Sequence, residues 1–167
     1  MQFDCSDNLY ASVLKISNAE KVRRFMDAFG QDLDVNFFGD FASTYRLLQF
    51  RRKLVEEELQ ELDDAIDEFL MSVARQNVRD QRVAFLEMVD ALVDLLYVVY
   101  GFLWTFGVCP DEVFDIVHRS NMSKLGADGQ PIYREDGKVL KGPQYRSPDF
   151  TGVLNDYLRA IGASDAI

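Results

Sequence analysis

Histidine and cysteine are scarce in this sequence of 167 residues. His118 is the only histidine, and Cys5 and Cys109 are the only cysteines. A zinc site needs three or four such ligands and a disulfide framework needs several pairs, so neither is expected. Because Ser120 lies too close to His118 along a predicted helix, a serine nucleophile of the Ser-His-Asp kind is not expected either.

Positive charge and long apolar runs are also in short supply. Lysine and arginine number 18 against 28 acidic residues, which gives a formal net charge of −10. Such a chain lacks the basic surface that nucleic-acid backbones require. The uncharged run from Leu95 to Cys109 is shorter than a membrane span, and Asp4 and Asp7 interrupt any apolar signal segment. We therefore expect a cytoplasmic protein that has neither a nucleic-acid nor a membrane partner.

Length and periodicity predict a single all-α domain of residues 1–167, built as an antiparallel helical bundle with a four-helix core. Residues 1–16 show no period and are predicted to form an arm. The core spans about 17–126, a flap follows at about 127–147, and a last helix lies at about 148–161. The predicted core helices run from a Ser17 cap to Gly30, from Ser43 or Thr44 to about Arg75, from Val83 to Trp104 before a stop at Gly107, and from Pro110 to Gly126, with Gln76–Arg82 as a polar connection.

The long second helix carries a carboxylate on its apolar face. At about 100° per residue, Glu58 falls among the apolar side chains from Leu54 to Leu70, whereas Glu61 lies at their border and Glu57 a little further round. An ionised carboxylate removed from water costs several kcal/mol unless a positive partner compensates. Glu58 is therefore predicted to need such a partner.

The third helix carries an acidic stripe on an otherwise apolar surface. Glu87, Asp90 and Asp94 lie within an arc of roughly 60°, and a helix apolar all round is normally buried. Two inward carboxylate groups on neighbouring helices are tolerable if divalent cations lie between them, and oxygen ligands favour Mg²⁺ or Mn²⁺. The alternative interpretation is a polar stripe at a helix or subunit interface.

The flap differs in composition from the helices. It contains two Asp-Gly turn signals, at Asp128-Gly129 and Asp136-Gly137. Its basic residues contrast with the acidic remainder of the chain and are Arg134, Lys138, Lys141 and Arg146. We interpret the flap as a lid over a bound anion, while the alternative is a loop whose charges only aid solubility.

Together these motifs resemble a known superfamily. Glu57-Glu58-x-x-Glu61, followed on another helix by Glu87-x-x-Asp90, is similar to the paired motif of the all-α nucleoside triphosphate pyrophosphatases, which include MazG, the dimeric dUTPases and phosphoribosyl-ATP pyrophosphohydrolase. Four further segments resemble the MazG-like or phosphoribosyl-ATP pyrophosphohydrolase-like branch, and the resemblance extends from about Val22 to Asp149. These segments are Phe25–Gln31, Asp90–Gly101, His118–Lys124 and Gly137–Pro143.

The resemblance implies a chemistry and a set of roles. In that superfamily the motif acids bind Mg²⁺, and a metal-activated water splits the α–β phosphoanhydride of a nucleoside triphosphate into a monophosphate and pyrophosphate. Carried over by motif, the metal ligands would be Glu58, Glu61, Glu87 and Asp90. Glu57 would be a further ligand or the base that orients the water. Asp94 competes with Asp90 for one role, because a shift of four residues also aligns it with the pattern.

Substrate contacts and assembly follow from the same resemblance. Asn121 and Lys124 match an Asn-x-x-Lys pattern and would contact phosphates, although Lys124 also fits a surface position at a helix end. We expect Lys138 and Lys141 of the flap to close over the triphosphate. A homodimer or a dimer of dimers is implied. The alternative functions are phosphoribosyl-ATP hydrolysis and a non-catalytic helical dimer that binds nucleotide, and no residue identifies the base.

Overall fold

The computed structural model describes residues 16–33 and 35–163, and within them every regular element is a helix. Five helices follow in order, which confirms the predicted all-α class. They are α1 (Asn18–Ala28), α2 (Phe41–Ala74), α3 (Val78–Thr105), α4 (Pro110–Met122) and α5 (Thr151–Ala160). The predicted arm at residues 1–16 lies outside the described residues, apart from Ile16.

The long helices α2 and α3 form the centre of the bundle. Only residues 75–77 join them, so they run antiparallel, as predicted. Both helices carry small buried side chains at seven-residue spacing, Ala65 and Ser72 on α2 and Ala84 and Ala91 on α3. Small side chains allow the two backbones to approach closely over this part of the pair.

The other helices pack around α3. Helix α1 lies against it, where Trp104 Nε1 donates a hydrogen bond to the Ala19 carbonyl at 2.8 Å. Helix α4 contacts α3 after a bend of 106°. Helix α5 is tied to the loop before α2, because Tyr157 donates to the Val35 carbonyl at 2.8 Å.

Three helix starts differ from the predictions, and one of them is that of α5, which begins at Thr151 and not at about residue 148. Helix α2 begins at Phe41 and not at Ser43 or Thr44, because Asp40 is the N-cap and accepts from the amides of Ala42 and Ser43. Hydrogen bonds from Ser43 and Ala42 hold the pKa of Asp40 below its ordinary value.

Helix α3 begins at Val78, which shortens the predicted connection of Gln76–Arg82 to three residues. Asn77 caps it by accepting from the amides of Arg79 and Asp80. The polar composition of this stretch concealed the first turn of the helix, since charged residues suit a helix end that faces solvent.

The remaining helix ends agree with the sequence in most respects. Ser17 caps α1 as predicted, and Gly30 and Gly107 adopt positive φ after α1 and α3. Helix α4 stops at Met122, short of the predicted end at Gly126. The amide of Gly126 donates instead to the Gln130 carbonyl and starts the first turn of the flap.

The prediction that α3 is buried on every side is wrong for the single chain. Phe85 is 54% exposed, Leu86 65% and Leu96 59%, since α1, α2 and α4 leave much of the surface of α3 uncovered. Among the described residues no helix alone is long and apolar enough to span a membrane. Helices α3 and α4 reach that length and composition only as a pair, with the bend between them.

Candidate functional site

Glu58 lies where the acidic groups of α2 and α3 meet. It is half-buried, and removal from water is the main cause that raises its pKa. The charges of Glu61, Asp94, Glu57 and Asp90 raise the pKa further, in that order. The two motifs, separated in sequence by an entire helical hairpin, therefore converge on one carboxylate.

The other predicted acids are exposed in the single chain. Glu87, Asp90 and Asp94 do not face the interior, which corrects the prediction for the acidic stripe. The reason is the same uncovered surface of α3. Glu57 forms an ion pair with Lys53 at 3.1 Å. Glu87 is not among the charges that shift the pKa of Glu58.

Glu58 and Asp94 also line a cleft of about 460 Å³ between α1, α2 and α3. Phe25 and Tyr97 form part of its wall, with their rings edge to face at 5.5 Å. Burial raises the pKa of the Tyr97 hydroxyl. Flat aromatic walls beside a carboxylate cluster suit a ligand that has an apolar ring and a charged end.

Two lining residues, Arg51 and Gln31, were not predicted from the sequence. Arg51 is only 3% exposed, and its Nη1 donates to Gln31 Oε1 at 3.0 Å. Arg51 precedes Glu58 by seven residues, two turns along the same face of α2. That spacing was the available signal, because it places an arginine on the apolar face of the helix.

The carboxylate oxygens near Glu58 are suitable ligands for a hard cation. Among the described residues, however, no group of three or more acidic, histidine or cysteine side chains is already arranged to hold a metal ion. All the candidate ligands are carboxylates, which Mg²⁺ and Mn²⁺ prefer. Their mutual repulsion at Glu58 is the electrostatic condition that a bound cation would relieve. The donor chemistry therefore fits a divalent cation, with the side chains still to be drawn together.

Two predicted phosphate contacts, Asn121 and Lys124, meet at the end of α4 beside the flap. Lys124 Nζ donates to Asn121 Oδ1 at 2.7 Å, and the Lys124 carbonyl accepts from the Gly142 amide at 2.9 Å. Lys141, one residue earlier, lies over the Tyr145 ring at 4.2 Å from its centroid. In residues 16–33 and 35–163 no hydrogen bond or ion pair engages the Lys138 ammonium group.

A short hairpin forms the outer part of the flap. A bridge pairs Tyr133 with Val139, and Gly137 adopts a positive φ in the turn between them. Arg134 is paired with Asp136 and holds the pKa of that carboxyl below its ordinary value. The positive charge that remains available is therefore smaller than the count of basic residues suggested.

The flap and the acidic cluster remain separate groups in the single chain. Across the part of the chain that the structure describes, no hydrogen bond or ion pair joins Asn121, Lys124, Lys138 or Lys141 to Glu58 or to the other motif acids. Any joint action of the two groups requires a ligand, a movement or a second subunit.

The known proteins that this chain resembles include a viral protein and a bacterial protein of known structure. An uncharacterized protein of Acanthamoeba polyphaga mimivirus is 28% identical over 128 residues, which are 76% of this chain and 43% of that protein. The chain thus spans less than half the length of this relative. The crystal structure of a candidate NTP pyrophosphohydrolase from Exiguobacterium sp. 255-15 shows 25% identity over 89% of this chain and 98% of its own, with a TM-score of 0.41.

A family profile matches a larger part of the sequence. The profile described as phosphoribosyl-ATP pyrophosphohydrolase covers residues 22–121, which is more than half of the chain. The matched region runs from α1 to the end of α4 and contains the cleft, the carboxylates of α2 and α3, and Asn121. The chain therefore belongs to the phosphoribosyl-ATP pyrophosphohydrolase family.

Proposed function

We propose that this protein is a Mg²⁺-dependent pyrophosphohydrolase that cleaves the α–β phosphoanhydride of a nucleoside or deoxynucleoside triphosphate, giving the monophosphate and pyrophosphate. Membership of the family supports a pyrophosphohydrolase type of activity. The substrate class, the metal requirement and the bond cleaved belong to the proposal.

The single observation that carries this proposal is the environment of Glu58. A half-buried carboxylate that faces four other carboxylates is unfavourable for an isolated chain, because each added charge raises the cost of ionising it. A carboxylate with a perturbed pKa in a cleft, such as Glu58, is typical of a functional site. Burial and like charge both raise the pKa of Glu58, and among the described residues no cation offsets them, which favours a cationic ligand.

The proposed ligands of Mg²⁺, or of Mn²⁺ in its place, are Glu58, Glu61, Glu87, Asp90 and Asp94. A divalent cation so held supplies charge neutralisation for phosphate oxygens and a lowered pKa for a coordinated water. Asp94 lines the cleft beside Glu58, which favours it as a close ligand, while Asp90 lies one turn earlier on the same stripe.

Glu57 is the proposed group that orients the attacking water, with direct metal binding as its alternative role. Its ion pair with Lys53 at 3.1 Å positions the carboxylate at the edge of the cluster. Both side chains are at least half exposed, so the ion pair adds little stability and can open when a ligand arrives.

Phosphate oxygens beyond the metal are the proposed partners of Asn121, Lys124, Lys138 and Lys141. The contact between Lys124 and Asn121 already orders one amide and one ammonium group at the end of α4. The hydrogen bond from Gly142 holds the base of the flap against the same residues. A flap anchored at its base, where Gly142 and Arg146 donate to Lys124 and Ser123, can close over a triphosphate by moving its outer hairpin.

A homodimer, or a dimer of dimers, is the proposed assembly. The outer surfaces of α2 and α3 expose many large apolar side chains, among them Leu70, Phe85, Leu86, Val93 and Leu96. Large apolar side chains exposed in such number favour an interaction surface. Sedimentation velocity tests the assembly, and a monomer at micromolar concentration would contradict it.

A nucleotide panel tests the proposed reaction. Purified protein is incubated with each nucleoside and deoxynucleoside triphosphate, and with phosphoribosyl-ATP, in Mg²⁺ or in chelator, and phosphate and pyrophosphate are measured separately. Pyrophosphate release that requires Mg²⁺ is expected for at least one triphosphate. Release of orthophosphate would refute cleavage of the α–β phosphoanhydride. Turnover of phosphoribosyl-ATP alone would favour a phosphoribosyl-ATP pyrophosphohydrolase. No turnover of any nucleotide would favour a non-catalytic dimer that binds nucleotide.

A further inference from the structure

Arg51 is a buried charge whose hydrogen bonding is incomplete. Its side chain is 3% exposed, one terminal nitrogen donates to Gln31, and Nε has no partner among the described residues. Burying a guanidinium costs free energy unless its donors are satisfied. A residue of this kind at the wall of a cleft indicates that a ligand supplies the missing acceptor.

The position of Arg51 relative to the carboxylates fits the two ends of a nucleotide. Arg51 and Glu58 are seven residues apart on α2, as are Gly101 and Asp94 on α3, and all four line the cleft. Seven residues are two helical turns, or about 10 Å along the helix axis. Because α2 and α3 are antiparallel, Glu58 and Asp94 lie at one level of the cleft, and Arg51 and Gly101 lie at the other.

The level of Arg51 is kept open and rigid. A Cβ on Gly101 would meet Arg51 Nη1 and Met26 Sδ, each at 3.5 Å, so the glycine leaves space beside the guanidinium. The backbone N–H of Gln31 donates to the Met26 carbonyl at 2.9 Å, which fixes the backbone of Gln31 just after the end of α1. Between the two levels, Phe25 and Tyr97 provide aromatic walls for a flat ring.

The chemistry of this end is one-sided. A guanidinium has only N–H donors. The carbonyl oxygen of the Gln31 side chain already accepts from Arg51, so one of its two lone pairs is used, while its NH2 group adds two donors. Donors therefore outnumber acceptors at this end of the cleft. Carbonyl oxygens match these donors, whereas an exocyclic amino group would set donor against donor. Arginine forms such paired contacts with the O6 and N7 acceptors of guanine in nucleic acids.

We propose that Arg51 and Gln31 form the base-recognition end of the cleft and select nucleotides that carry a carbonyl, and not an amino group, at the 4-position of a pyrimidine or the 6-position of a purine. The inference rests on the proposed function, since it names the substrate class of the same site. It predicts uracil, thymine, guanine and hypoxanthine nucleotides as ligands in preference to cytosine and adenine nucleotides.

Matched nucleotide pairs test the selection. The ratio of kcat/KM for dUTP over dCTP, and for dITP over dATP, is expected to be at least tenfold, because a buried donor left unpaired rejects the wrong analogue strongly. Arg51→Gln should reduce both ratios towards one through a higher KM for dUTP and dITP. Gln31→Glu, which replaces the amide donors by an acceptor and leaves Arg51 in place, should do the same if Arg51→Gln fails to fold.

Arg52→Gln is the matched control. Arg52 is adjacent, exposed and paired with Glu56 at 2.6 Å, so the same substitution there should leave both ratios at the wild-type value. Equal turnover of the paired nucleotides by the wild type, or wild-type ratios in both Arg51→Gln and Gln31→Glu, would overturn the inference. Melting curves establish that each variant is folded.

Binding of monophosphates separates this inference from the proposed reaction. If no triphosphate is hydrolysed, the proposed function fails, and calorimetry with dUMP and dCMP still decides the selection. Tighter dUMP binding that Arg51→Gln removes and Arg52→Gln keeps would support Arg51 as the base-recognition residue of a binding protein. Equal binding of the two monophosphates, or no binding of either, would refute it.

Discussion

Replacing Gly142 by alanine should detach the flap from the end of α4. A Cβ at this position would lie 2.2 Å from the Leu125 carbonyl oxygen and 2.8 Å from the Lys124 carbonyl oxygen. Both are backbone atoms, so no side-chain rotation can relieve the overlap. The chain around Gly142 must therefore withdraw by about 1 Å to restore an ordinary contact distance.

One broken hydrogen bond and one steric overlap set the size of the effect. Withdrawal breaks the 2.9 Å hydrogen bond from the Gly142 amide to the Lys124 carbonyl, and a hydrogen bond of this type contributes about 1 kcal/mol net. Overpacking against backbone adds about 2 kcal/mol. The sum of about 3 kcal/mol corresponds to roughly a hundredfold decrease in the docking equilibrium of the flap.

Hydrogen exchange is the direct assay. The amides of Gly142 and Arg146, which donate to the Lys124 carbonyl and to Ser123 Oγ, should lose protection in Gly142→Ala. The melting temperature should change little, because among the described residues the hydrogen bonds of the flap reach only the end of α4 and the turn after it. If the flap contacts substrate as proposed, KM for the preferred nucleotide should rise at least tenfold.

Gly152→Ala is the control for this substitution. Gly152 is exposed on α5, and a Cβ there would meet no atom within 4 Å, so flap protection and KM should remain at the wild-type values. Wild-type flap exchange in Gly142→Ala would refute the steric argument. Lost protection with an unchanged KM would refute only the contact between flap and substrate.

Three further predictions use the same structure. The double substitution Lys138→Ala and Lys141→Ala should weaken nucleotide affinity and reduce its salt dependence without changing metal affinity. A non-hydrolysable nucleotide with Mg²⁺ should protect residues 134–146 from hydrogen exchange, and a lack of added protection would contradict the lid interpretation. Asn77→Ala should lower the free energy of unfolding by about 1 kcal/mol in urea titrations, because it removes the cap of α3, and an unchanged midpoint would contradict that role. Because burial and neighbouring carboxylates raise the pKa of Glu58, the folded state is favoured below the ordinary glutamate pKa and loses stability as the pH rises through the raised value. In chelator, Glu58→Gln should therefore gain stability over the wild type as the pH rises, and parallel pH profiles would contradict the account.

The fold is largely predictable because its signals are local. The Ser17 cap and the glycines after α1 and α3 each act within a few residues, and the structure confirms them. The short connection between α2 and α3 also determines their antiparallel pairing. The predicted starts of α2 and α3 are wrong because Asp40 and Asn77 suit a loop as well as a helix cap, and in the structure each side chain is the N-cap.

The site is predictable only in part. The motif spacing identifies Glu58 as a carboxylate that needs compensation, and the structure places four other acids near it. Burial of the acidic stripe cannot be judged from apolar content, since an apolar helix can equally be covered by another subunit. The role of Arg51 escapes sequence reasoning because it depends on α1, which brings Gln31 beside it from 20 residues earlier in the chain.

The central claim is that the acids of α2 and α3 hold the metal that pyrophosphate release requires. The most direct measurement is Mg²⁺-dependent pyrophosphate release by the wild type, Glu61→Gln and Asp67→Asn, with the preferred triphosphate at saturation. Asp67 is an exposed acid on the solvent side of the same helix and serves as the control for loss of a carboxylate. We predict that Glu61→Gln loses at least about 99% of the wild-type rate while it remains folded, and that Asp67→Asn retains that rate. Near-normal pyrophosphate release by folded Glu61→Gln would contradict the account.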